Sequence, residues 1–298
     1  MNPAAILRLM RPKQWTKNLL VFAALIFTGG YRDQKQVIAV LLTFVAMCLV
    51  SSSTYALNDV ADAKRDRLHP KKKDRPVASG QVSVTGAVAL AIVLLAAGLA
   101  LAWWVQMAVL IGAAIYLGIQ AIYNVGFKSL PVLDVFTLSS GFVLRAIIGA
   151  AAINVQVSVW LLLCTGALAL LLGFAKRRSE FVLMGDDRGQ SRPALHGYSI
   201  RALDGLVLIS GCCAAITFGM YVVESETAKK FPALILTAPI VLFGIYRYLF
   251  LVFSNDEGGE PENLVFGDPQ MIGTLIAFLA AVFYAMGGAE LPFVLRGN

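Results

Sequence analysis

Tyr55-Ala-Leu-Asn58-Asp59-Val-Ala-Asp62-Ala-Lys64-Arg65-Asp66-Arg67 closes an apolar run, residues 37–57, that is long enough to cross a bilayer. At about 100° per residue, Asn58, Asp59, Asp62 and Asp66 fall within roughly one quadrant of a helix. Three carboxylates and a carboxamide on one face form the oxygen-donor set that a hard divalent cation requires. In a soluble protein such acids would read as a solvated helix end. Here they continue a membrane-length run and need a partner near lipid, which points to metal binding. A basic stretch follows at once, His69-Pro70-Lys71-Lys72-Lys73-Asp74-Arg75-Pro76. Acid to hold a metal, with base beside it, suits a polyphosphate.

The rest of the chain agrees with a membrane reading. It is 58% hydrophobic and only 14% charged, with mean hydropathy +0.73, which excludes an ordinary soluble domain. Nine apolar stretches have spanning length, near 17–31, 37–57, 84–102, 104–123, 132–153, 157–175, 203–223, 232–253 and 271–289. The third and fourth nearly merge through Trp103-Trp104, a pair suited to an interfacial turn. The expected fold is therefore all-α and polytopic, about nine transmembrane helices in one domain over 1–298. Cytoplasmic loops are expected at about 59–83, 124–131, 176–202 and 254–270.

With a cytoplasmic N-terminus, 18 Lys and Arg fall on the cytoplasmic side, five opposite, and Arg145 and Arg247 within spans. That asymmetry is a positive-inside signal and places the charged motifs at the cytoplasmic face of the inner (plasma) membrane. The net charge of +7 belongs to these loops and to lipid headgroups, not to a nucleic acid. No signal-peptide cleavage pattern follows the first basic residues. Cys48, Cys164, Cys212 and Cys213 all sit in apolar runs and read as packing residues, with neither disulfide nor zinc spacing.

Other polar residues stand out against the apolar background. Arg11-Pro12-Lys13-Gln14-Trp15-Thr16-Lys17-Asn18 opens the first span; Trp15 reads as an interfacial anchor, and Lys17 and Asn18 lie where they can touch substrate. Tyr123 and Lys128 end the fourth span. Asp134 and Arg145 share a face of the fifth, where a buried arginine is costly unless it meets a partner or an anion. The sixth ends in Lys176-Arg177-Arg178-Ser-Glu180, with Lys176 and Glu180 spaced to pair. This is a second charged helix end, and together the two would form a polar mouth on an apolar cavity. The loop Asn255-Asp256-Glu257-Gly258-Gly259-Glu260-Pro261-Glu262 reads as a solvated loop, with a flexible lid as the alternative. Glycine- and alanine-rich spans permit association between copies.

Asn58-Asp59-x-x-Asp62-x-x-x-Asp66 at the end of the second span resembles the first aspartate-rich motif of the UbiA superfamily of membrane prenyltransferases. Within it, several motifs are similar to the decaprenyl-phosphate phosphoribosyltransferase branch. They are Pro12-x-Gln14-Trp15-x-Lys17-Asn18, Tyr55-x-x-Asn58-Asp59, His69-Pro70 with Arg75-Pro76, Leu144-Arg145-Ala146-Ile147, Lys176-Arg177-x-x-Glu180 and Gly259-Glu260-Pro261-Glu262. The resemblance implies a UbiA-like bundle and a Mg2+-dependent pentosyltransferase. It would move 5-phosphoribose from phosphoribosyl pyrophosphate (PRPP) to decaprenyl (polyprenyl) phosphate, for cell-wall arabinan in actinobacteria. Ordinary prenyltransferases carry a second acidic motif where this chain has Lys176, Arg177 and Arg178, which favours a sugar phosphate over prenylation.

Carried onto this sequence, the resemblance implies Asn58, Asp59, Asp62 and Asp66 as metal ligands. Arg145 and Lys176 join the three aspartates as catalytic residues. Lys17, Asn18, Tyr55, Asn58, Lys72, Lys73, Arg75, Tyr123, Lys128, Arg145, Lys176, Arg177 and Glu180 are the substrate contacts. Two alternatives remain at this level. One is a UbiA-type transfer of an isoprenyl group from its diphosphate to an aromatic or lipid acceptor. The other, a transporter, would need a polar path to the opposite face, whereas the unusual charge is gathered at one.

Overall fold

The fold was obtained as a computed structural model that describes residues 3–67, 72–184, 193–254 and 261–287. Among these residues it is helical, without strands. A short amphipathic helix α1 (Pro3–Met10) leads into a 3-10 segment, Pro12–Phe22, and a brief α2 (Ala23–Phe27). Then follow α3 (Gln34–Asp66), α4 (Val84–Val105), α5 (Met107–Val125), α6 (Leu133–Ala152) and α7 (Val159–Met184). The chain continues through α8 (Ile200–Glu224), α9 (Glu226–Lys230), α10 (Thr237–Ser254), α11 (Pro261–Gly267) and α12 (Pro269–Met286).

Eight helices among the described residues are long and apolar enough to cross a membrane. They correspond to the second through ninth expected stretches. The first, 17–31, is no long α-helix: it is the 3-10 segment with α2 behind it. Pro12 stands at its first position, where a missing N–H costs nothing, and Ser52 of α3 holds the segment through Trp15 and Met10. The anticipated break at the tryptophans is present as well. Gln106, in extended conformation, separates α4 from α5, and its side-chain amide donates to Asn154 at 2.7 Å. Trp103 and Trp104 are exposed beside it.

Two compact units divide the chain: Met1–Ala121 with Leu144–Gln156, and Ile122–Val143 with Val157–Asn298. Helix α6 contributes its first half to the second unit and its last half to the first. In the first unit, α3 and α4 lie close because Gly98 faces α3. A Cβ there would stand 2.8 Å from Val50 Cγ2 and 3.0 Å from the Ala46 carbonyl. A cluster of Ala5, Leu9, Ala56, Ala63, Val77 and Val82 seats α1 and the segment after α3 on the end of that pair. In the second unit, α7, α8 and α10 bury Leu171, Phe174, Leu203, Val207, Leu251 and Val252 together.

Length decides where the charged motifs stand. At 1.5 Å per residue, the 33 residues of α3 extend roughly 50 Å, against about 30 Å of hydrocarbon. Several turns therefore project beyond the apolar layer, and Asn58 to Asp66 occupy that projection as helix. Helix α7 does the same with Lys176 to Glu180. One packing expectation fails: Cys48 and Cys164 are buried, but Cys212 and Cys213 are exposed on α8. Apolar neighbours in a span do not imply burial, because the outward face of such a helix is apolar too.

Candidate active site

In the first unit the acidic end of α3 is closed by arginines. Asp59, 2% exposed, is ion-paired with Arg11 and lies 3.4 Å from Arg75 Nη1. The same Nη1 donates to Asp66 Oδ2 at 2.6 Å. One cationic nitrogen thus bridges two carboxylates. Asn58 and Asp62 are half-buried and make no hydrogen bond or ion pair with any described residue.

The segment bearing Arg75 is fastened from below. Arg67 Nε donates to the Ala78 carbonyl at 3.1 Å, and Val82 N–H returns to the Pro76 carbonyl at 2.9 Å. Lys72 is half-buried and Lys73 exposed on the same turn, while His69-Pro70 and Lys71 lie outside the described residues.

A run of hydroxyls one turn back docks the N-terminal segment. Ser52 donates to the Met10 carbonyl at 2.8 Å and accepts from Trp15 Nε1 at 3.0 Å. Trp15 is thus a strut against α3 as well as an aromatic near the interface. The docking brings Arg11 over the Tyr55 ring, 5.2 Å from its centroid. Arg11 has φ 53° and ψ 62°, a left-handed conformation that costs a non-glycine residue on the order of 1–3 kcal/mol.

Deeper in the unit stands Arg145, 4% exposed. Its Nε donates to Asn18 Oδ1 at 2.7 Å, its Nη2 to the Tyr116 hydroxyl at 3.2 Å, and its guanidinium stacks 4.8 Å from the Tyr116 ring. The Asn18 amide donates in turn to Ser51 Oγ at 3.2 Å and Cys48 Sγ at 3.3 Å. Asn18 is fully buried, with both ends of its carboxamide engaged by protein. The expected substrate contact is therefore a brace for Arg145. Lys17 beside it is half-buried.

The second unit builds a separate charged cluster around Asp134, which is fully buried. Arg177, 2% exposed, donates from Nε to Asp134 Oδ2 at 2.7 Å and from Nη1 to Glu180 Oε2 at 2.5 Å. The Tyr198 hydroxyl donates to Asp134 Oδ1 at 3.0 Å and accepts from Val132 N–H at 2.5 Å. Burial pushes the Tyr198 phenol far above the usual tyrosine range, so it serves Asp134 as a neutral donor. Arg177, expected to touch substrate, is held here by two protein carboxylates out of water, and Glu180, spaced to pair with Lys176, is also engaged by Arg177. Tyr123, half-buried, interacts electrostatically with Arg177. Lys176 and Lys128 are half-buried, Lys128 on the 3-10 turn Phe127–Ser129.

Arg178 closes the inner end of that helix. It donates from Nε to Asp204 Oδ1 at 2.7 Å and from Nη1 to the Val252 carbonyl at 3.0 Å, tying α7 to α8 and α10. Sequence reading missed Arg11, Tyr116 and Tyr198. Arg11 had one visible signal, a basic residue immediately before a proline that begins a new segment.

Whether the acidic face suits a metal can be judged from its donors. Among the described residues no three His, Cys, Asp or Glu side chains converge as a finished site. The chemistry nevertheless fits: carboxylate and carboxamide oxygens are hard donors. Arg75 Nη1 already stands in for a cation, touching both Asp59 and Asp66.

The sequence matches the UbiA prenyltransferase family over residues 19–266. It is 31% identical over 292 residues to a decaprenyl-phosphate phosphoribosyltransferase of Mycolicibacterium smegmatis, covering 94% of this chain and 91% of that one. The protein of the same description from Mycobacterium tuberculosis is 31% identical over 294 residues, 97% and 95% of the two chains. Among solved structures, a UbiA homolog from Archaeoglobus fulgidus bound to GPP and Mg2+ aligns with TM-score 0.70 at 21% identity. That alignment covers 95% of this chain and 98% of the other, and is a likeness of fold. The chain belongs to the UbiA prenyltransferase family and resembles, over nearly its whole length, relatives described as decaprenyl-phosphate phosphoribosyltransferases.

Proposed function

We propose that this multi-pass membrane protein transfers 5-phosphoribose from PRPP to a polyprenyl phosphate, decaprenyl phosphate in the relatives' description, and releases pyrophosphate. Near-full-length similarity to those relatives carries the reading. Lys176, standing where a prenyltransferase would place an acid, supports it. The active site is assigned to the cytoplasmic face, where the positive-inside count puts both charged helix ends.

Asn58, Asp59, Asp62 and Asp66 are the residues that would hold Mg2+. A divalent cation there supplies charge neutralisation for a departing pyrophosphate. The other roles belong to the chain itself. Arg75, Lys72 and Lys73 present cations beside the acidic face, with the arginine fork suited to bidentate phosphate contacts. Arg145, braced by Asn18 and Tyr116, holds a permanent positive charge in a fixed orientation for the negative charge that gathers on the departing pyrophosphate. Lys17 and Tyr55, in the first unit, are assigned to substrate contacts. In the second unit Lys176, Lys128 and Tyr123 are assigned to phosphate binding, while Arg177 and Glu180 position them.

The acceptor phosphate is already anionic near neutral pH, so no general base is required. One of its oxygens forms the new bond to C1 as the C1–O bond to pyrophosphate breaks with its electron pair. Attack opposite the leaving group inverts C1. Catalysis rests on placement and electrostatics.

Paired assays with purified protein test the reading. Labelled PRPP with decaprenyl phosphate should yield a lipid-linked phosphoribose and pyrophosphate. A prenyl diphosphate with an aromatic acid should yield nothing. The reverse pattern would replace this proposal with ordinary prenyl transfer.

A further inference from the structure

Asp59 and Asp66 are the buried members of the acidic face, 2% and 4% exposed, and both are already covered by cations. The covering side chains are the accessible ones: Arg11 is 27% and Arg75 28% exposed. A metal ion arriving from water therefore meets guanidinium groups before it meets the carboxylates of Asp59 and Asp66, whereas half-buried Asp62 stays open to it. Guanidinium does not deprotonate in proteins, so this cover cannot be titrated away and must be displaced.

Charge arithmetic says when displacement occurs. Two carboxylates and two guanidinium groups cancel. A divalent cation entering alone leaves a double positive excess in a part-buried site. A cation entering with a diphosphate brings negative charge that offsets its own and gives both freed guanidinium groups an anion. Arg11 is placed for such an exchange. Its left-handed backbone and its position over Tyr55 keep the guanidinium at the motif through contacts other than the ion pair.

We infer that Arg11 and Arg75 are diphosphate ligands held in reserve on the metal motif. Cation and diphosphate bind together: the cation takes Asp59 and Asp66, and the two arginines pass to phosphate oxygens. Arg11 thereby becomes a substrate-binding residue, not a topological anchor. The inference rests on the reading that Asp59 and Asp66 hold a metal for a diphosphate donor, and it holds equally for PRPP or a prenyl diphosphate.

The test uses the full chain in detergent, with Mn2+ titrated by electron paramagnetic resonance and magnesium pyrophosphate by equilibrium binding. Arg11→Gln and Arg75→Gln should each bind Mn2+ alone roughly threefold more tightly, because a competing cation is gone. The same variants should bind magnesium pyrophosphate about tenfold or more weakly, having lost charge-assisted contacts. Weaker Mn2+ binding in the variants, or unchanged pyrophosphate binding, overturns the proposal; a purely structural role would weaken both. Wild-type protein gives an independent reading free of folding effects. Magnesium pyrophosphate should protect Arg11 and Arg75 from phenylglyoxal, read by peptide mass spectrometry, and equal labelling with and without it refutes the exchange. Neither measurement uses PRPP or a polyprenyl phosphate, so its failure is separable from failure of the transfer reaction.

Discussion

Removing Asp134 should cost more than any other single carboxylate in the second unit. Its two oxygens receive Arg177 Nε at 2.7 Å and the Tyr198 hydroxyl at 3.0 Å, and no part of the side chain reaches water. Asp134→Ala leaves a guanidinium that is 2% exposed with Glu180 as its remaining carboxylate partner. Breaking a buried pair from one side costs about 3–5 kcal/mol, because the surviving charge stays desolvated. Tyr198→Phe takes away one hydrogen bond to the same carboxylate and the acceptor of Val132 N–H, and should cost about 1–3 kcal/mol. At about 2–4 °C per kcal/mol, the alanine variant should unfold roughly 6–20 °C lower in detergent at a fixed heating rate, and the phenylalanine variant by a smaller amount.

The discriminating member of the series is Asp134→Ala combined with Arg177→Met. If the loss comes from an orphaned charge, deleting both partners should recover most of it, since apolar side chains can replace a buried pair at little cost. Transfer activity should not recover, because Glu180 has lost the guanidinium that orients it beside Lys176. An Asp134→Ala variant no less stable than Tyr198→Phe would refute this account. So would a double variant in which the two losses simply add.

Three further perturbations address other parts of the structure. Asp62→Ala should abolish transfer without lowering the unfolding temperature, because Asp62 has no partner among the described residues; full activity would remove it from the metal motif. Gly149→Ala puts a Cβ into the Val21 carbonyl, and because backbone cannot yield as a side chain does, it should cost about 1–3 kcal/mol or more and reduce activity by displacing the segment that carries Asn18; a fully active, equally stable variant would contradict the close approach. Asp268 caps α12 and lies below the ordinary carboxylate value of 3.8 because Arg247 donates a hydrogen bond to it. A lowered value means stability that is present above the unfolded value and lost as pH falls through the folded one. Asp268→Asn should therefore destabilise at pH 7 and make little difference in strong acid, as thermal scans across pH would show.

Period and composition were enough for the helices, because apolar runs of spanning length leave the backbone few other ways to satisfy its hydrogen bonds. The acidic face was legible for a similar reason: residues 58, 62 and 66 share a face on any helix. Partner choice was not legible. The spacing of Lys176 and Glu180 suggested a pair, but Glu180 also receives Arg177, whose principal carboxylate, Asp134, lies 43 residues away. Asn18 was expected to touch substrate, yet it is spent on Arg145, 127 residues on in the sequence. Such pairings depend on how helices dock, and local periodicity carries no record of that. The 3-10 form of the first stretch escaped for the opposite reason. Its apolar residues allowed a span, while the docking of Trp15 and Met10 on Ser52 made a different local structure better satisfied.

The same distinction separates ligands from framework. Arginine is permanently charged, and near a bilayer its charge must be compensated before any substrate arrives. Arg11, Arg75, Arg177 and Arg178 accordingly each have a carboxylate partner in the free chain. What differs is whether that partner can be given up. Arg177 sits beneath the surface on a carboxylate that Tyr198 also holds, so releasing it would strand buried charge on both sides. Arg11 and Arg75 lie over Asp59 and Asp66 with a quarter of each side chain in water. Their release strands nothing, provided a cation takes the carboxylates as an anion takes the guanidinium groups. Exposure of the cation, combined with burial of its carboxylate, is thus the physical mark of an exchangeable pair. It divides the basic residues of this chain into those that build the site and those that the substrate can recruit.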